Sequence, residues 1–197
     1  MKDLGLIRRN FPALKRKTDN NKSAIYFDGP GASQIPNNVF DAYREHILGD
    51  KANQGGYFET SVNTTNAVKY ARESLAIFMN CNADEIVIGA NATTSVFQFS
   101  RALSREWNEN DEVVVTDLDH FANVSPWVEA AKDKKCKVNT IKFDTETGKF
   151  NIEDFEKAIT NKTKIVAVNY ACNAIGTINP VKEIIKIAHA KGALVFV

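Results

Sequence analysis

Three short stretches of this 197-residue chain combine residue types able to hold and work on a ligand. Gly89-Ala-Asn-Ala-Thr93-Thr94-Ser95 follows an apolar run and opens a helical pattern. Free main-chain N–H groups at such a helix start, joined by hydroxyls, form a cradle for phosphate. The helix dipole adds about 0.3–1 kcal/mol for an anion there. The same residues also read as a plain cap at Thr93 or Thr94. Thr116-Asp-Leu-Asp119-His120-Phe-Ala-Asn123 puts a histidine just past a strand, where an imidazole can stack on a flat ring, shuttle a proton, or simply be satisfied within the loop. Asn169-Tyr-Ala-Cys172-Asn173-Ala-Ile-Gly176-Thr177 offers an amide that can donate to a ligand oxygen, beside a glycine suited to a tight turn; a turn asparagine fits equally well.

The elements that position these stretches alternate. Apolar strands are predicted at 85–88, 112–116, 137–143, 164–169 and 193–197. Helices are predicted from about Thr93 to Trp107, from Ser125-Pro126 to about Lys134, from the Asn151 cap to about Ile159, and from Pro180 to Gly192. Strands and amphipathic helices in alternation imply an α/β fold with a mainly parallel sheet covered on both faces. In such sheets ligands sit beyond the carboxyl ends of the strands, where the three stretches fall. Upstream, residues 1–24 read as a polar, partly helical arm, and Asp28-Gly-Pro-Gly31 as a turn. Asn38–Leu48 reads as a helix, Asn53–Phe58 as a loop, and Thr64–Met79 as a helix whose Ala67, Ala71, Leu75 and Phe78 form an apolar stripe. No internal repeat or low-complexity tract interrupts the chain.

Composition narrows the classes. With 44% hydrophobic and 25% charged residues, the chain has the balance of a globular protein. Twenty-five basic against 24 acidic side chains leave +1, so no global charge favours nucleic acid or an anionic membrane. No apolar run suits a signal peptide or a membrane span. Cys81, Cys136 and Cys172 are odd in number and widely spaced, which suits the cytoplasm rather than a disulfide framework. The three histidines are equally scattered, so no metal site is expected. Neither a Walker lysine pattern nor a G-x-G-x-x-G is present.

Tyr26-Phe-Asp-Gly-Pro-Gly31, the Ala-Thr93-Thr94 loop, Asp119-His120-x-Ala-Asn-x-x-Pro126-Trp127, Asn173-x-x-Gly176-Thr177 and Gly192-Ala-x-Val-x-Val197 stand in the order and spacing of class V aminotransferases. These are fold-type I enzymes dependent on pyridoxal 5'-phosphate (PLP). The chain resembles most the cysteine desulfurase-like subgroup, and Gly55-Gly56-Tyr57 supports that placement. The resemblance covers residues 25–197, read as an incomplete large domain. It implies that Thr93 and Thr94 hold the cofactor phosphate, His120 stacks on the pyridine ring, Asn173 bonds the ring's phenolic oxygen, and Gly31 lies near the substrate carboxylate. Ser95 stands where relatives often carry an acid, and Gln54 where they carry arginine or histidine. The resemblance further places the cofactor-bearing lysine, the aspartate at the pyridine nitrogen and the small domain beyond Val197. No catalytic residue is therefore expected within these 197 positions, and the chain alone is expected to be inactive. The implied enzyme is a cytoplasmic homodimer acting on a small amino acid as a desulfurase-type lyase. The alternatives are a class V aminotransferase or epimerase and, from another class, a non-catalytic α/β module that binds a phosphate ligand.

Overall fold

A computed structural model describes residues 3–197, which fall into two compact units, one ending at Ile88 and one beginning at Gly89. The first unit carries α1 (Leu4–Arg9), α2 (Asn37–Glu45) and α3 (Glu59–Met79), with short turns between them. Asp3 caps α1 through its side chain. The arm expected over residues 1–24 is therefore helical at α1 and again in the turn Pro12–Lys15, while its first two positions lie outside the described residues.

The long helix α3 buries a different face from the one its apolar spacing predicts. Phe78 is 83% exposed and Leu75 42%, whereas Ser61 and Thr64 are buried. The cause is a hydrogen-bonded loop laid along its first turns. Ser61 Oγ donates to Asn53 O at 2.6 Å and accepts from Gly56 N at 2.7 Å. Thr64 Oγ1 donates to Asp50 O and Asn63 Nδ2 to Asp50 Oδ1, each at 2.7 Å. A Cβ on Gly56 would come within 2.6 Å of the Phe58 ring, so the loop lies this close only with glycine there. The strand expected at 85–88 does not form either. Ala83–Glu85 is a helical turn, and Val87 and Ile88 beyond it are exposed and unpaired among the described residues. Apolar composition makes a strand only where a neighbour supplies the ladder.

The second unit is the α/β layer structure that the alternation predicts. Its strands are β1 (Glu112–Thr116), β2 (Lys137–Ile141), a small hairpin of β3 (Phe143–Asp144) and β4 (Lys149–Phe150), then β5 (Thr163–Ala167) and β6 (Leu194–Phe196). The main sheet runs β2-β1-β5-β6, with every pairing parallel. Helices α4 (Ala92–Leu103), α5 (Phe121–Asp133), α6 (Ile152–Ala158) and α7 (Val181–Ala190) cover it. Because side chains alternate along a strand, β1 feeds two cores. Val113 and Val115 pack with Val96, Trp127 and Ala131 of α4 and α5, while Val114 packs with Phe155, Ile184 and Ala188 of α6 and α7. Asn151 caps α6 by accepting from Glu153 N, as its position predicts.

The start of α5 departs from expectation. The helix begins at Phe121, and Pro126 lies inside it. His120 supplies the capping acceptor six residues before the proline, so the helix is launched by an imidazole rather than by Ser125.

Candidate functional site

The candidate phosphate cradle is the N-terminus of α4. Asn91, not either threonine, is the cap; its Oδ1 accepts from Thr94 N at 2.8 Å. Thr93 and Thr94 thus stand in the first turn with exposed side chains that cap nothing. The main-chain N–H groups of Ala92 and Thr93 have no intrachain acceptor among the described residues. Gly89 lies close to Ser95, whose hydroxyl would have to turn away from a Cβ added there.

His120 is the cap of α5. Its Nδ1 accepts from Ala122 N at 3.1 Å, and the ring is exposed. Its own N–H donates to Asp119 Oδ1 at 2.6 Å, and Asp119 Oδ2 accepts from Asn123 Nδ2 at 2.8 Å. Burial pushes the Asp119 carboxyl above the ordinary carboxylate value, against the stabilising hydrogen bonds from Asn123 and from the main chain of His120.

Two contacts fix the relation of these helix starts. Phe99 of α4 meets Trp127 of α5 edge-on, with ring centroids 6.3 Å apart, and farther along Arg101 pairs with Asp133. Contacts that advance together along both helices mean that the helices run in the same direction. Thr93 precedes Phe99 by about as many residues as His120 precedes Trp127. Both starts therefore lie about 9–11 Å beyond the aromatic contact, at the same end. That end is where β1 delivers the chain to Asp117–His120, the carboxyl end of the sheet.

Asn173 sits in the loop after β5, the strand paired beside β1. The loop folds back on itself: Gly176 N donates to Cys172 O at 2.8 Å, Cys172 N to Thr177 O at 2.9 Å, and Gly176 takes a positive φ of 77°. At its base Asn179 is buried and donates from Nδ2 to Asn169 O at 2.9 Å and Oδ1 at 2.6 Å. The tip of the β3–β4 hairpin supports it from the side, for a Cβ on Gly148 would come within 2.7 Å of Ile175 Cδ1. The Asn173 side chain is exposed and makes no hydrogen bond among the described residues. Cys172 is buried in the core beside Val168 and Ile184, a poor place for a nucleophile. Gly31 belongs to the first unit, in a turn where its N donates to Asp28 O at 2.8 Å.

The profile of the aminotransferase class-V family matches residues 25–197. The chain belongs to this family. Among class V relatives, a probable cysteine desulfurase of Halalkalibacterium halodurans is 34% identical over 97% of this chain and 47% of its own length. A cysteine desulfurase of Synechococcus elongatus is 30% identical, covering 98% of this chain and 31% of its own length. The apo structure of a cysteine desulfurase from Thermococcus onnurineus superposes with a TM-score of 0.88 at 30% identity, over 99% of this chain and 47% of that one. The chain thus spans less than half the length of these class V relatives.

Sequence reasoning missed three residues around this site. Asn91 was hidden by the neighbouring threonines, although asparagine before a helical pattern is the stronger cap signal. Asp119 and Asn123, which hold the start of α5, carry no local signature of that role.

Proposed function

We propose that the protein of which this sequence forms the matched portion is a PLP-dependent enzyme acting on a small amino acid, cysteine foremost, in the manner of a desulfurase-type lyase. The observation that carries this reading is the shared direction of α4 and α5, which brings the Thr93-Thr94 helix start and the exposed His120 ring to one end of the sheet. The residues present fit the cofactor: two unengaged main-chain N–H groups and two exposed hydroxyls suit a phosphate at a helix start. When bound, PLP supplies an electron sink that weakens the bonds at the substrate α-carbon.

The chain's own residues then divide the work. Thr93 and Thr94 would hold the phosphate with their hydroxyls, joined by the main-chain N–H groups of Ala92 and Thr93. His120 would lie against the pyridine ring, with Nε2 available to hold or pass a proton, since Nδ1 is occupied by Ala122 N–H. Asn173 would donate its free amide to the phenolic oxygen, and the family resemblance alone assigns Gly31 to the substrate carboxylate. Relatives bearing the name cysteine desulfurase support cysteine as substrate. A cytoplasmic homodimer completes the reading; three free cysteines accord with a reducing compartment. No helix among the described residues is long and apolar enough to cross a membrane.

Binding of pyridoxal phosphate to the chain, followed by fluorescence, tests the cradle. Replacing Thr93 and Thr94 together by valine removes both hydroxyls and is expected to weaken binding by about 10–100-fold, the range for hydrogen bonds to a charged group. Equal affinity in the wild type and the double variant would dismiss the assignment.

A further inference from the structure

Asn123 faces no ligand in the reading above, yet both ends of its amide are engaged. Nδ2 donates to Asp119 Oδ2 at 2.8 Å, and Oδ1 accepts from Trp127 Nε1 at 3.3 Å. Reversing the amide would set its NH2 against the indole N–H and its oxygen against a carboxylate, so only one orientation is compatible with both neighbours. Behind it, Trp127 is fully buried and packed against the rings of Phe99 and Phe196, with centroids 6.3 and 5.1 Å away. In front, the other oxygen of Asp119 accepts His120 N–H at 2.6 Å, and Asn123 N itself donates to His120 O at 2.8 Å. His120 Nδ1 accepts from Ala122 N–H at 3.1 Å. A nitrogen accepts only through a free lone pair, which leaves the ring proton on Nε2.

We propose that Asn123 is a positioning residue for His120: with Asp119 ahead and Trp127 behind, it carries the rigidity of the core to the imidazole and fixes one tautomer with Nε2–H toward solvent. The inference deepens the cofactor reading and rests on it for its purpose, because a ring that must lie flat on a pyridine needs a defined plane. Its geometry stands without the cofactor. The relay also makes a swap possible. In the double variant Asp119→Asn/Asn123→Asp every hydrogen bond keeps a donor and an acceptor: the new amide at 119 donates to the new carboxylate at 123, which still accepts the indole, while the amide oxygen still accepts His120 N–H.

The experiment is hydrogen exchange and imidazole 15N spectroscopy on the whole chain, with His120 assigned by His120→Gln. In Asn123→Ala, exchange at His120 N, Ala122 N and Trp127 Nε1 is expected to rise about tenfold, as for the loss of a hydrogen bond. The His120 ring is expected to move toward an averaged tautomer, while the amides of Val114 and Val166 in the sheet keep their protection. The double swap restores protection and tautomer; Asn123→Asp alone, which sets two carboxylates together, does not. The proposal is overturned if Asn123→Ala leaves the three local sites unchanged, if Val114 and Val166 lose protection in parallel with them, or if the swap rescues nothing in a folded chain. Addition of pyridoxal phosphate to the wild type separates the two claims. A His120 ring that ignores the cofactor removes the stacking role, whereas the exchange pattern alone decides whether Asn123 positions the ring.

Discussion

In the unit that ends at Ile88, the buried side chains among the described residues are Ser61, Thr64 and Ala76, and Phe27, Tyr57, Ile77 and Phe78 lie open. In the unit from Gly89 onward, Trp127, Phe155, Ile165, Ile184 and the valines of β1 are withdrawn from water almost completely. Both stretches contain ample apolar residues, so composition does not separate them. The difference is pairing. The second unit has a four-stranded sheet whose two faces give helices something to cover. The first has no strand among the described residues, and its longest helix is held to its loop by hydroxyls and amides. Its order rests on hydrogen bonds worth about 0.5–1.5 kcal/mol each net, the other's on buried area worth about 25 cal/mol per Å2.

The sharpest way to break this contrast is a matched pair of phenylalanine truncations. Phe155→Ala removes a fully buried ring that stands edge-on to Phe150 and is expected to cost about 3–5 kcal/mol in urea unfolding. Phe78→Ala is expected to change stability by no more than about 0.5 kcal/mol, as for an exposed site. Similar losses for the two would erase the distinction. Ser61→Ala comes next. It leaves Gly56 N and Asn53 O without their partner and is expected to cost about 1–3 kcal/mol, with protease sensitivity rising in the loop at 50–58 and not in the sheet. A uniform rise across both units would contradict a locally held loop.

The smallest effect is one of pH at Asp119. Burial raises its folded-state pKa above the ordinary 3.8, so the folded chain takes up this proton before the unfolded chain does. Its stabilising contribution is present below 3.8 and lost as pH rises through the raised folded value. Stability measured against Asp119→Asn should therefore tilt toward the variant as pH climbs through that window. A tilt in the opposite direction would mean that the hydrogen bonds outweigh burial.

The same contrast decides what could be read in advance. β1, β5, α6 and α7 are legible because unbroken runs such as Val113-Val114-Val115 and clear caps such as Asn151 are satisfied by a sheet that exists in the chain. The run at 85–88 and the stripe through Leu75 and Phe78 are equally apolar, but Val87, Ile88 and Phe78 stay open to solvent. Around the site, spacing alone placed His120 and Asn173 past strand ends and Thr93 and Thr94 at a helix start, although the strand expected before that helix does not form. It could not show that Asn91 takes the cap, nor that α5 starts at a histidine, because cap preference is a rule about common side chains and imidazole is an uncommon acceptor there.

The hairpin turn at Gly148, with its positive φ of 65°, leans on Ile175 and Thr177. A residue outside every motif therefore acts as a doorstop for the segment that carries Asn173. Giving position 148 a side chain would strain the turn at its positive φ and press on the Ile175 side chain of the segment that carries Asn173, while every ligand-facing residue stayed the same.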